Sequence, residues 1–391
     1  RDRSVSRGLG DVYKRQTIPY FLGEQLSYFQ DKGYNIYIIC SPSSEIERYS
    51  KLHKFSYCEI PILRKISLMQ DVKAVLKICR YIKRKKIDVV TGHTPKGALL
   101  AMISAYIMQV SIRIYFRHGL VYETSKGFKR FLLISMDRLA AKLATKIVCV
   151  SPSVCKRSIE DKLNLASKQI LLSRGTCNGI DVSRFDRQNV QSETVRDLKD
   201  KLGLPEKCFV IGFIGRLVRD KGIIELVQAF ALLRQKYSDM RLLLVGMLEE
   251  RDALPKTIVE DIRENPAIIT TGYIENSIIE NYYALMDVFV LPSYREGFPT
   301  SVLEASSMGI PVITTKATGC IDSIIEEKTG VFVSHDAGCL ATAIETLYGD
   351  KDLRLQYGKN GRKLVEDNFE QHIIWKEIEL SLIHISEPTR H

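Results

Sequence analysis

Short apolar runs alternate with longer stretches of helical periodicity along most of the chain. Residues 35–41 (NIYIICS), 87–93 (IDVVTGH), 112–118 (IRIYFRH) and 146–151 (KIVCVS) read as strands. Between and before them, residues 68–86, 96–109 and 129–145 read as helices. This alternation predicts βαβ units and a parallel sheet. The pattern then restarts. A strand over 209–215 (FVIGFIG) leads into a helix over 222–237, and strands follow at 241–246, 267–273, 288–293 and 311–315. Residues 177–207, between the two series, are polar and strandless and read as a linker with a short helix. An amphipathic run over 364–382 predicts a long C-terminal helix. The expected class is therefore α/β, with two Rossmann-like domains in tandem.

Neither end continues the pattern. Residues 1–16 show no strand or helix period, and residues 381–391 follow the last helix without extending it. Both read as non-native, adapter-like segments and are set outside the fold. The domains are then 17–176 and 177–365, with a helix over 366–380 crossing back to the first domain. On this reading the first strand of the N-terminal sheet is missing, and the chain would be unstable or weakly active.

Charge changes the picture more than composition does. At 45% hydrophobic and 26% charged residues, the 391-residue chain has enough apolar side chains for two cores. Its nine cysteines are scattered with no CxxC, which favours reduced thiols over a disulfide or zinc scaffold. The longest apolar run, 97–110, is shorter than the ~20 residues a membrane-spanning helix needs. Residues 17–175 carry 27 basic and 11 acidic side chains, a formal +16, whereas residues 176–391 come to −8. A basic half calls for an anionic partner, a membrane surface or a phosphate-bearing substrate. No nucleic-acid-binding motif accompanies it, so nucleic acid is not expected as a partner.

In open α/β sheets, ligands sit at the carboxyl ends of strands. FIGRLVRDKG puts Gly215 and Arg216 just after a strand and Lys221 just before a helix. Two cations and helix N-terminal amides suit a diphosphate, although the same residues also describe a solvated βα loop. REGFPTSVLEASSMG sets Glu296 and Glu304 eight positions apart around the turn Gly297-Phe298-Pro299-Thr300. The amides there open a helix and can meet an anion. Glu304, one turn in, can accept hydrogen bonds from the vicinal hydroxyls of a ribose. The plainer alternative is two carboxylates that favour a helix start. With Arg216 and Lys221 at a matching strand end, the donor-clamp reading gains over the plainer one.

GRLVRDKG, LLLVG, LPSYREGFPTSVLEASSMGIPVITT and GVFV resemble the retaining glycosyltransferases of family 4. HTPKGALLAM, RHGLVYET and CNGIDVSRF resemble its capsular and exopolysaccharide branch. The resemblance spans roughly residues 17–380. It implies the GT-B fold, two Rossmann-like domains with parallel sheets facing an interdomain cleft. It further implies that Arg216 and Lys221 neutralise the nucleotide diphosphate. Glu304 would hold the ribose, Glu296 would meet the transferred sugar, and the Gly297–Thr300 backbone would seat sugar and phosphate. Tyr273 and Ile274 would border the base, and His118 would face the donor sugar. Asn178 and Gly179 would lie at the hinge, while Thr300 and Tyr294 would tune specificity. The implied reaction moves a sugar from a UDP-sugar to a polyprenyl-diphosphate-linked or saccharide acceptor. The enzyme would be cytoplasmic, held peripherally at the inner face of the cell membrane by its basic domain. No D-x-D pair stands at a strand end, so no metal or other cofactor is expected. A UDP-sugar epimerase of the same fold is the competing activity, disfavoured by the E-x7-E spacing and the NGID hinge. The other alternative is an inactive, truncated homologue.

Overall fold

The computed structural model describes residues 3–9, 24–43, 46–63, 67–250 and 252–386. Its contacts divide the chain into two units, Arg1–Gly179 with His372–His391, and Ile180–Gln371. The first unit holds a seven-stranded sheet. Its strands are β1 (Arg3–Leu9), β2 (Tyr34–Cys40), β3 (Ser56–Glu59), β4 (Val89–His93), β5 (Ile112–Arg117), β6 (Lys146–Cys149) and β7 (Gln169–Leu171). They lie in the order β3-β2-β1-β4-β5-β6-β7, with every pair parallel. The second unit holds β8 (Phe209–Ile214), β9 (Met240–Val245), β10 (Ile268–Thr270), β11 (Val288–Leu291), β12 (Val312–Thr315) and β13 (Gly330–Val333). Their order is β10-β9-β8-β11-β12-β13, again parallel throughout.

These strands form where apolar runs lack alternation. β11 and β12 are buried along their whole length, as are all but one residue of β8 and of β9. Helices cover both faces of such a sheet, so neither face needs polar residues. Each sheet reverses its strand order once, at β1/β4 and at β8/β11. Such a reversal opens a crevice at the carboxyl ends of the strands.

Three expectations are corrected. Residues 3–9, set aside as adapter-like, form β1 in the middle of the first sheet, so the strand expected to be missing has its position filled. Pairing in a parallel sheet uses main-chain groups, and RSVSRGL meets β2 and β4 without the apolar run usual for a central strand. Residues 381–386 continue the last helix, Gln371–Ser386. Leu382 is buried there, four and eight residues beyond buried Ile378 and Ile374. The single helix expected over 364–382 is broken at Phe369–Glu370. Here the chain leaves the Lys351–Asn368 helix, and Ile180 exchanges main-chain hydrogen bonds with Phe369 and Gln371, at 2.7 and 3.0 Å.

The division between units also falls a few residues beyond the expected one. Cys177, Asn178 and Gly179 group with the first unit rather than the second. The Asn178 carbonyl and side-chain oxygens accept from the Trp375 indole N–H at 2.9 and 3.0 Å, and the Cys177 carbonyl accepts from Gln25 Nε2 at 3.2 Å. Residues 366–371 remain with the second unit.

Candidate active site

In the second unit, the loops after β8 and β11 stand side by side because their strands are neighbours at the order reversal. The β8 loop runs through Gly215 and Arg216 into a short turn, Arg219–Lys221, and then the Ile223–Arg234 helix. Gly222 between them has φ +71°, and a Cβ there would lie 2.1 Å from the Pro292 carbonyl oxygen. Only glycine lets the two loops approach this closely.

The loops are joined by charge. Lys221 Nζ donates to Glu296 Oε1, and both side chains are largely buried. The same carboxylate oxygen accepts from Ser293 Oγ at 2.8 Å. One residue away on each loop, Arg295 grips Asp220 Oδ2 through Nε and Nη2, at 3.0 and 2.7 Å. Arg216, half exposed, pairs with Glu249 at 3.2 Å. Both cations expected to meet a diphosphate are thus held by carboxylates.

Glu304 lies in the Thr300–Ser307 helix and is buried. Its Oε2 accepts from the Tyr283 hydroxyl at 2.7 Å. Burial pushes its carboxyl up to about 7, opposed by that hydrogen bond and by the charge of Arg184. The turn before this helix divides its tasks. The Phe298 ring packs on Phe369, with ring centroids 5.3 Å apart, so this side chain serves the core. Pro299 precedes the first helical residue, Thr300. Gly297 faces Gly319, where a Cβ would fall 2.5 Å from the Gly297 carbonyl oxygen. Tyr273, beyond β10, is exposed, whereas Ile274 packs against the core. The exposed Tyr294 stacks on His335 at 3.8 Å and donates to Glu225 at 2.7 Å.

In the first unit, His118 follows β5. One ring nitrogen, Nε2, lies 2.8 Å from Nδ1 of His93 at the end of β4, and the other, Nδ1, lies 3.7 Å from Cys177 Sγ. Burial pushes the His118 imidazole down to about 4, so it is neutral at neutral pH. Beside it in sequence, Arg117 is fully buried against Asp137 at 2.5 Å and Asn164 at 2.6 Å. Asn178 also lies in the first unit, where it is held by the Trp375 indole N–H. The second unit places Gly215, Arg216 and Lys221 in the loop after β8, Glu296 and Gly297 in the loop after the neighbouring β11, and Glu304 within the helix that follows.

Sequence reasoning missed the residues that hold these groups: Asp220, Arg295, Glu249, Tyr283, His93 and Cys177. Two carried a signal. Asp220 and Arg295 have opposite charges and each adjoins a motif residue. Tyr283 and Cys177 carried none, because nothing local marks a side chain whose partner lies tens of residues away.

The chain is similar to known glycosyltransferases. A family model described as glycosyl transferases group 1 matches residues 194–364, and one described as glycosyl transferase 4-like matches residues 16–151. The chain is 35% identical over 367 residues to the capsular polysaccharide biosynthesis glycosyltransferase CapM of Staphylococcus aureus, covering 93% of each. It is 25% identical to the UDP-Gal:alpha-D-GlcNAc-diphosphoundecaprenol alpha-1,3-galactosyltransferase of Escherichia coli, over 88% of each chain. Among solved structures, Anabaena Alr3699/HepE in complex with UDP superposes with a TM-score of 0.79 at 18% identity, over 98% of this chain and 100% of that one.

Proposed function

The chain belongs to the family 4 glycosyltransferases, enzymes of the GT-B fold, and on that premise we propose that it moves a sugar with retention from a UDP-sugar to a saccharide carried on a polyprenyl diphosphate. Both relatives are glycosyltransferases by name, and the one from Staphylococcus aureus serves capsular polysaccharide biosynthesis. What supports the finer reading is one observation. Lys221, in the loop after β8, pairs with Glu296, in the loop after β11, across the strand-order reversal, with Arg216 on the first loop and Glu304 on the helix that follows the second. The relative from Escherichia coli takes UDP-Gal and an acceptor on diphosphoundecaprenol by its name, which supports both substrate classes.

In the proposed reaction the leaving group is a nucleoside diphosphate, and stabilising its growing charge is the main task. Lys221 turns from Glu296 to the phosphates, Arg216 turns from Glu249, and the amides opening the Thr300–Ser307 helix complete the seat. Glu296, released from Lys221, meets the sugar hydroxyls. Glu304 ionises and accepts from the ribose. The leaving phosphate takes the proton of the attacking acceptor hydroxyl on the same face of the sugar. His118 is neutral and serves as a hydrogen-bonding group toward the donor sugar. This sequence of events uses no metal ion, which assays with and without EDTA test.

The acceptor side is a membrane surface in this reading. The Leu68–Lys85, Pro95–Ile107 and Gly127–Leu143 helices pack side by side in the first unit. Each returns from the carboxyl end of a strand, so their first turns share that end of the sheet. Leu68 is 80% exposed and Phe128 78%, with Met69 and Phe131 beside them. Lys126, Lys129 and Arg130 flank the phenylalanines. Apolar side chains among cations fit anionic headgroups, at about 1 kcal/mol per basic residue. No helix among the described residues is long and apolar enough to cross a membrane. Flotation with phosphatidylglycerol vesicles tests the surface. The protein is expected to float with them and not with phosphatidylcholine vesicles, and F128S/F131S to lose binding. Equal recovery with both lipids contradicts the reading. UDP release from UDP-sugars with short polyprenyl-diphosphate saccharides tests the reaction, and Glu296→Ala or Glu304→Ala should collapse it.

A further inference from the structure

We propose that the Asp220–Arg295 ion pair is a latch across the β8/β11 crevice that sets the spacing of Lys221 and Glu296, so that Arg295 is a positioning residue and not a phosphate ligand. The proposal rests on the donor-site reading above and deepens it. Three ties join two consecutive positions of one loop to three of the other. The Tyr294 N–H donates to the Asp220 carbonyl at 2.9 Å, Arg295 grips the Asp220 carboxylate, and Lys221 reaches Glu296. Asp220 is itself fixed, since its N–H donates to Asp252 Oδ2 at 2.8 Å.

The Arg295 guanidinium spends Nε and one terminal nitrogen on a single carboxylate oxygen. That edge is the one a guanidinium would turn to a phosphate. Both partners are about three-quarters buried, with side-chain exposures of 24% and 23%. For a largely buried ion pair desolvation offsets much of the attraction, so the pair is weak evidence for stability and its effect here lies in geometry. Lys221 and Glu296 follow Asp220 and Arg295 directly in sequence. A shift of one loop against the other therefore moves the cation off the phosphates and the carboxylate off the sugar together. Misplacement of about 1 Å in such a site costs up to about 100-fold in rate.

The test is calorimetric titration with UDP on the full chain. Arg295→Ala and Asp220→Ala are each expected to weaken UDP binding about tenfold, within the range for misplaced contacts. The double variant should be no weaker than either single. Asp220→Asn, which keeps the shape and lowers the charge, should fall between. The exchange D220R/R295D should recover binding to within about threefold of the original. Thermal melts run alongside separate misfolding from misplacement. If Arg295→Ala weakens binding while Asp220→Ala leaves it unchanged or tightens it, Arg295 is a phosphate ligand and the latch is wrong. An exchange variant that melts normally yet binds no better than the singles also overturns it. A parent protein that binds none of UDP, GDP or ADP defeats the donor-site reading itself, a result distinct from either of these.

Discussion

Replacing Glu304 with Gln isolates the cost of burying one carboxyl. Glu304 has 6% of its surface exposed, and burial raises its pKa from 4.5 to about 7. Between those values the folded chain keeps a proton that the unfolded chain has lost. Stability contributed by this group is therefore full below pH 4.5 and declines as pH rises to about 7. At about 1.4 kcal/mol per pH unit the full decline comes to roughly 3 kcal/mol. Gln keeps the shape of the side chain and can accept the Tyr283 hydroxyl, but it has no charge to bury. Thermal unfolding followed by circular dichroism without nucleotide reads the difference. At pH 5 the two proteins should differ by less than about 1 kcal/mol. At pH 8 the variant should be more stable by about 3 kcal/mol, a rise in melting temperature on the order of 5–10 °C for a domain of this size. A difference that stays the same at pH 5 and pH 8, or a variant less stable at pH 8, refutes the reasoning. The loss of that buried charge should also cost ribose binding, so stability and donor affinity move in opposite directions.

The remaining predictions follow from the same contacts. UDP affinity should fall about tenfold per pH unit as pH drops below 7, because a proton competes with the ribose hydroxyls for Glu304. Calorimetry across pH 5.5–8 checks this, and Glu304→Gln should show no such slope. Asp137→Ala strands the buried Arg117 without its carboxylate and removes the acceptor of the Tyr115 hydroxyl, which lies 3.0 Å from Asp137 Oδ2. It should destabilise the first unit by about 3–5 kcal/mol in chemical denaturation, and a loss below about 1 kcal/mol would contradict the buried-pair account.

The two sheets were legible because their inner strands are apolar on both faces. RLLLV and VFVL admit few other readings, and helical spacing between them fixed the βαβ order. β1 was not legible, because RSVSRGL joins the sheet through its backbone without an apolar pattern. The short β3 and β7 also escaped notice, since neither has a fully buried residue to set a period. The helix break at Phe369–Glu370 rests on a main-chain exchange with Ile180, nearly two hundred residues earlier in the chain. The site divides the same way. Arg216, Lys221 and Glu296 could be singled out because each lies in a loop that follows a strand, and Glu304 because it lies one turn into the next helix. The partners of Arg216 and Glu304 could not, because Glu249 and Tyr283 are brought in only by tertiary packing. His118 was found from its position, but its engagement with His93 and Cys177 appears only once β4 and β5 lie side by side.

Retaining transfer from a nucleotide sugar to a lipid-linked saccharide leaves its mark on the product. The most direct measurement is proton NMR of the product formed from UDP-sugars and a polyprenyl-diphosphate saccharide. The expected product is a longer lipid-linked saccharide whose new linkage has the anomeric configuration of the donor, formed by the parent protein and lost in Glu296→Ala. An inverted linkage, or a UDP-sugar epimer formed without any acceptor, would contradict retaining transfer.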